Sequence, residues 1–539
     1  MKTKDQKKKI LIVGGGMSGL ISSAYLSKKG FDVTLIEKNG ECGGLVNSFV
    51  RDGFLFDGGI RAIENAGMIL PMIKELDIDL EMLESKISLG IEDDIIHVET
   101  DESLIDYEKQ LKRIYPESIQ DVDNVVNVIQ DMKNHMNILF GSDSPFFKDK
   151  KRDKWYFIKG LLPWLFKLIG TIRAIVKMQI PVEDFLKKII KNRSLNDIIS
   201  QHFFIKTPAF FAMSYFALYI DYYYPRGGTG QLPLKIKEAL LDSGGEFLPD
   251  TDIIAVDFIK KSVTDQNGSI YKYDKLIWAA DLKQLYSIVD LDNLESSVSA
   301  PIEADKKKIL GSRGAESVFS VFMAVDMEPE FFRNISHGHF FYTPSKEGLN
   351  DIQRGEFRGM LDNKDDLRKS DVLDWAARFC RLNTYEISIP VLNDPGTAPP
   401  GKTGIIASCL LDYALVKRLE EKGWSDEFVG FMKKEMIDVL DASVYPGLKD
   451  KLLFSLAASP LAIQHRVRSS EGAIVGWSFD QPIPVKGSML NMKKAVRTAF
   501  PDIFKVGQWA GSPAGLPTCI LTAKLASDMV GRELLRDRS

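Results

Sequence analysis

Gly14, Gly16 and Gly19 stand at the spacing G-x-G-x-x-G, between an apolar run that reads as a buried strand (9–14) and one that reads as a helix (17–29). Each glycine has its own task in such a turn. Gly14 permits the tight bend, Gly16 lets main chain approach a pyrophosphate, and Gly19 allows the helix to pack closely on the strand. The helix start then offers unpaired N–H groups and partial positive charge to phosphates. Glu37 closes the next expected strand (31–37), where its carboxylate can accept hydrogen bonds from both hydroxyls of a ribose. The same charge repels a 2′-phosphate. The chemistry of this stretch is therefore dinucleotide binding with a free ribose diol, which argues against NADP at this site.

The elements that must hold these residues follow from the pattern around them. Strand, helix and strand in succession imply a parallel sheet with a right-handed crossover. Residues 76–224 read as long, largely helical and rich in aromatics. A glycine-rich turn at 225–230 leads into a helix (232–241), then strands near 246–259, a hairpin at Gln266-Asn267-Gly268 and a further buried strand at 275–280. Apolar segments at 317–325 and 404–411 predict a second sheet, and the last forty residues return to strand, turn and helix. The expected class is α/β. A Rossmann-type nucleotide-binding domain is assembled from 1–75, 225–300 and 485–539, with a mixed α+β substrate domain and helical cap inserted as 76–224 and 301–484.

The chain has 539 residues, enough for two lobes, and its 45% hydrophobic and 27% charged residues suit a soluble globular protein with a real core. A net charge of −4 gives no reason to expect nucleic acid. Cys42, Cys380, Cys409 and Cys519 lack metal-ligand spacing, and His337 and His339, in Ser-His-Gly-His-Phe, read as strand or loop residues rather than ligands. This usage fits a reducing cytosol. The basic start leads into a strand rather than a signal-peptide core, and no apolar run reaches the ~20 residues that span a bilayer. The expected location is cytoplasmic.

Further glycine signals then follow in order: Gly43-Gly44 after Glu37-Lys38, Asp57-Gly58-Gly59, Pro225-Arg226-Gly227-Gly228, Gly244-Gly245, Tyr445-Pro446-Gly447, Gly472 to Gly476, Gly507-Gln508 and Gly515-Leu516-Pro517. With these motifs the chain resembles the FAD-dependent superfamily of phytoene desaturases, carotenoid isomerases and retinol saturases, and more distantly amine oxidases. The resemblance implies FAD as cofactor. It also implies contacts from Gly14, Gly16, Met17, Ser18, Gly19, Glu37, Lys38, Gly43, Gly44, Leu45, Gly59, Ile60, Arg61, Ile253, Ala280, Gly507, Gln508, Leu516, Pro517 and Thr518. In the family, Ile253's counterpart packs on adenine, and the helix opened by Leu516 turns its N-terminal amides toward the flavin. Gln508 departs from the aspartate that carotenoid-type members commonly carry after this glycine.

Flavin carries the redox chemistry in such proteins, and the chain shows no nucleophile triad, metal cluster or paired carboxylate at working spacing. No second G-x-G-x-x-G frame marks an NADPH domain, so the external electron donor or acceptor is unspecified. Arg61 and Glu64 read either as facing the flavin pocket or, more simply, as an ion pair between lobes. Cys42 reads as a small loop residue. Residues 148–178 interleave nine basic side chains (Lys148, Lys150, Lys151, Arg152, Lys154, Lys159, Lys167, Arg173, Lys177) with Trp155, Phe157, Trp164 and Phe166. That segment reads equally as a peripheral membrane contact or as part of the helical cap, with Pro163 a point where its helix could break. The aromatics from Phe203 to Tyr224 read as core or as the wall of an apolar tunnel. The leading expectation is an oxidoreductase or isomerase acting on carbon–carbon bonds of an elongated isoprenoid, polyene or other lipid. The alternatives are amine-oxidase-like C–N oxidation and a non-catalytic lipid escort of the GDP-dissociation-inhibitor type.

Overall fold

The computed structural model describes residues 8–140, 160–291, 294–349, 352, 356–362, 367–485, 492–512 and 515–536. Two sheets organise it. The first has five parallel strands in the order Glu246–Leu248, Asp32–Ile36, Lys9–Val13, Lys275–Trp278 and Ile503–Lys505. Its strands read as near-continuous apolar runs because helices cover both faces. Ile10, Leu11 and Ile12 are wholly buried. The helix Met17–Lys28 packs against the C-terminal helix Leu516–Arg536 and against Gln231–Asp242.

The chain leaves Lys9–Val13 for one side of this sheet and returns later to the other side. The strand order therefore reverses between Lys9–Val13 and Lys275–Trp278. A crevice opens there, outside the strands' carboxyl ends, where open α/β sheets take ligands.

The second sheet has seven strands in the order Leu452–Ala458, Ser317–Val325, Thr403–Leu411, Tyr385–Ser388, His339–Thr343, Ile87–Ile91 and Asp94–Val98. Its described pairings are antiparallel except that of His339–Thr343 with Ile87–Ile91. Helices between residues 103 and 217 cover one end, and helices of 369–443 pack on one face.

Two expectations change, and one is met in two different sheets. The stretch 76–224 is not helical throughout, because Met82–Glu84 and the hairpin Ile87–Ile91/Asp94–Val98 precede its helices. Alternating Ile87, Leu89 and Ile91 bury one strand, and Glu92 turns the chain with φ 57°. The strands expected near 246–259 form as Glu246–Leu248 and Ile253–Asp257, which lie in different sheets. Pro249 has no N–H for a ladder and Asp250 has φ 51°. Pro163 does not break its helix, which runs Leu161–Lys177, because it lies in the first turn, where its missing N–H has no partner to lose.

Candidate functional site

The crevice widens into one cavity of about 490 Å³ that runs from the glycine turn to the seven-stranded sheet. At its first end, Gly14 (φ 108°) brings two strands so close that a side chain would strike the backbone of Ala279 and Ala280. Gly19 is equally constrained, because a Cβ there would collide with the carbonyl of Gly14. Gly16 differs: no atom lies within 4 Å of where its Cβ would be. It is the N-cap of the first helix and lends no side-chain cap. The helix's first N–H groups therefore face the cavity with their partial positive charge.

Gly43 and Gly44 pack on this turn. The Gly43 N–H donates to the carbonyl of Gly15 at 2.8 Å, and Gly44 comes within 3.3 Å of Gly16 Cα as measured from its own Cβ position. Glu37 is fixed by its neighbours: Oε2 accepts from Gly15 N–H at 2.7 Å and Oε1 from Asn39 N–H at 3.0 Å. Lys38 lies beside it, with Arg468 close by; burial and the Arg468 charge lower the pKa of its ammonium.

All of the expected contact residues border this cavity except Gly19 and Thr518. Gly19 faces the strand behind the turn, and Thr518 accepts with its carbonyl from the Thr522 hydroxyl inside the C-terminal helix. Gly507 (φ 91°) seats that helix against the first one, with its Cβ position 2.8 Å from Ser18 Oγ. Gln508 borders the cavity while donating from Nε2 to Ser469 Oγ and the Ala473 carbonyl, both at 3.4 Å.

Asp57 turns away from the cavity. Wholly buried, it accepts from Ser48 Oγ, Tyr224 Oη, Thr229 N–H and Thr229 Oγ1 at 2.7–2.8 Å, and so ties a hairpin to the glycine-rich turn. Burial pushes its carboxyl upward against these hydrogen bonds. Arg61 and Glu64 do not pair. Arg61 donates to the Asp57 carbonyl, to Ser320 Oγ at 2.9 Å and to Ser408 Oγ at 2.8 Å, and both residues border the cavity. Burial, with the charge of Asp221, raises Glu64 to about 7.

The far end of the cavity is walled by Phe203, Phe204, Phe211, Tyr215, Tyr222 and Phe341. The aromatic stretch therefore serves both purposes, since Tyr224 goes to the Asp57 network. A second cavity of about 60 Å³ lies behind His202, Phe203, Tyr215, Phe341 and Thr384, which border both. Sequence reasoning missed Ser320, Glu386 and Ser408 on the cavity floor and read His339 as an ordinary strand residue. Their one sequence signal is a polar residue on an otherwise apolar strand, which is weak without knowing which face looks inward.

Residues 12–76 match the model of the NAD(P)-binding Rossmann-like domain. The chain is 21% identical to 4,4′-diaponeurosporene oxygenase of Staphylococcus haemolyticus, covering 97% of both chains. It is 21% identical to 4,4′-diapophytoene desaturase of Staphylococcus aureus, covering 98% of this chain and 99% of that one. Homology to these carotenoid enzymes runs the length of the chain. Solved structures extend the likeness to fold: an oxidoreductase from Methanosarcina mazei superposes with TM-score 0.61 at 14% identity, covering 96% of this chain and all of that one. Putrescine oxidase bound to putrescine superposes with TM-score 0.58 at 12% identity, covering 97% and 99%. The fold is that of these oxidoreductases, a Rossmann-type domain joined to a substrate-binding insert.

Proposed function

We propose that the protein is an FAD-dependent oxidoreductase that desaturates carbon–carbon bonds of an elongated, apolar isoprenoid. The observation that carries this reading is the single cavity joining the glycine cradle to the aromatic walls. With it goes full-length homology to enzymes named for diapophytoene and diaponeurosporene. FAD fits the residues present. Open space at Gly16 and the free N–H groups of the first helix suit a pyrophosphate, Glu37 suits a ribose diol, and Ile253 offers an apolar surface for adenine. When bound, the flavin supplies a two-electron acceptor. The protein orients the substrate chain along the aromatic wall and keeps water from it. In this reading 1–75, 225–300 and 485–539 hold the cofactor, and 76–224 and 301–484 the substrate.

An apolar substrate of this kind resides in lipid, and the helix Leu161–Lys177 supports access to it. Leu165, Phe166, Ile169 and Val176 are 39–70% exposed. At ~100° per residue they share one arc of roughly 100°. Arg173 lies within that arc and Lys177 at its rim, both exposed, while Trp164 and Thr171 turn inward. We propose that this face rests on an anionic membrane surface. Among the described residues no helix is long and apolar enough to cross a membrane. Residues 148–159 of the basic segment lie outside the described residues.

The test is extraction of the purified protein and identification of what comes with it. The expected result is FAD together with an isoprenoid lipid. A protein that stays colourless after incubation with FAD contradicts the reading.

A further inference from the structure

We propose that Glu386, oriented by His339, is the proton acceptor of the desaturation. The inference rests on the function proposed above. Removing hydrogen across a carbon–carbon bond takes a hydride from one carbon and a proton from its neighbour. A flavin held at the glycine cradle would supply the acceptor for the hydride with its two electrons, the carboxylate takes the proton, and the single bond becomes double. Away from bulk water, the proton must go to a side chain that borders the cavity.

Glu386 meets that description. It lies on Tyr385–Ser388 opposite Phe341 of His339–Thr343, and both Glu386 and His339 border the cavity. His339 is 2% exposed, and its Nε2 lies 3.0 Å from Glu386 Oε1, while its buried Nδ1 has no hydrogen-bond partner among the described residues. An imidazole that donates from Nε2 to the carboxylate satisfies this geometry. Oε1 is thereby held and Oε2 is left for substrate.

The surroundings keep the group charged. Burial pushes the carboxyl up, but the hydrogen bond and charge of His339 and the Arg61 guanidinium outweigh it and hold Glu386 below the usual carboxylate range. Arg61 in turn is pinned by Ser320 and Ser408. Tyr215, Tyr219 and Tyr222 are further titratable neighbours: the charge of Glu386 helps raise the first two, and the Tyr222 ring lies edge-on to His339 at 5.4 Å. Glu64, another carboxylate on the cavity, is raised to about 7 by burial and the charge of Asp221. Of the two, Glu386 is the one whose oxygen a neighbouring imidazole orients, and that geometry assigns the base.

The experiment is stopped-flow reduction of the FAD-loaded protein by an acyclic isoprenoid polyene under anaerobic conditions, at several pH values. Glu386→Gln should slow flavin bleaching about 10²- to 10⁴-fold and remove the acid limb of its pH profile. FAD affinity and melting temperature should match the wild type. Glu386→Asp should recover part of the rate. His339→Leu should shift the acid limb upward by about one pH unit, because the carboxylate loses its donor. Glu386→Gln bleaching within threefold of wild type, with an unchanged pH profile, overturns the assignment alone. A wild-type flavin that no polyene bleaches overturns the proposed function and the assignment with it.

Discussion

At the scale of single residues, Glu37 couples cofactor choice to the shape of the turn. Its two oxygens already hold Gly15 and Asn39 in place, so in the proposed site a ribose would meet a carboxylate that needs no reorganisation on binding. Charge-assisted hydrogen bonds of this kind are worth about 1.5–3 kcal/mol. Glu37→Ala should weaken FAD binding roughly 10- to 100-fold, read by titrating apoprotein with FAD in a calorimeter. Glu316 makes a different prediction. Its Oε2 accepts from Ile205 N–H at 2.6 Å, yet burial, with nearby Asp412 and Glu183, raises it to about 8. The folded state therefore holds a proton that the unfolded chain releases near its ordinary pKa of about 4.5. Stability from this group is present at low pH and is lost as pH rises from about 4.5 towards 8. Glu316→Gln keeps the acceptor and removes the titration, so its melting temperature should fall less than that of the wild type between pH 5 and pH 8.5. Parallel curves would count against this account of Glu316.

At the scale of elements, the glycine turn separates folding from binding. Gly19 has no room for a methyl group because the Gly14 carbonyl occupies it, whereas Gly16 has space and an ordinary φ of −71°. Gly19→Ala should therefore lower the melting temperature of the apoprotein by several degrees, a cost of about 1–3 kcal/mol. Gly16→Ala should leave apoprotein melting nearly unchanged and still abolish the yellow colour, because its methyl would take pyrophosphate space. Equal melting for the two variants would contradict the roles given to them. The helix Leu161–Lys177 gives a further element-scale test. Phe166→Glu with Ile169→Glu should reduce retention on phosphatidylglycerol vesicles at low salt, and retention equal to wild type would remove this helix from the membrane contact. The elements themselves were legible in unequal measure. The turn, first helix and second strand followed from glycine spacing and apolar runs, because their geometry is local. The hairpin at 87–98 was obscured because short apolar runs fit strand or helix alike, and only pairing with His339–Thr343 settles them.

At the scale of the whole molecule, the cavity exists because chain segments hundreds of residues apart meet at two sheets. Motif spacing revealed the residues at its cofactor end, since glycine turns carry their own signature. It did not reveal Glu386, His339, Ser320 and Ser408, whose inward direction depends on the register of the seven-stranded sheet. Arg61 shows the same limit: its partners, Ser320 and Ser408, are 259 and 347 residues away in sequence. One cavity for cofactor and substrate would let substrate carbon lie directly against a flavin bound at the glycine cradle. The central measurement is anaerobic mixing of FAD-loaded protein with 4,4′-diapophytoene or a similar acyclic isoprenoid, followed by flavin absorbance and product analysis. The account predicts bleaching of the flavin with one new carbon–carbon double bond formed per flavin reduced. A flavin that remains oxidised, with the isoprenoid recovered unchanged, would contradict it.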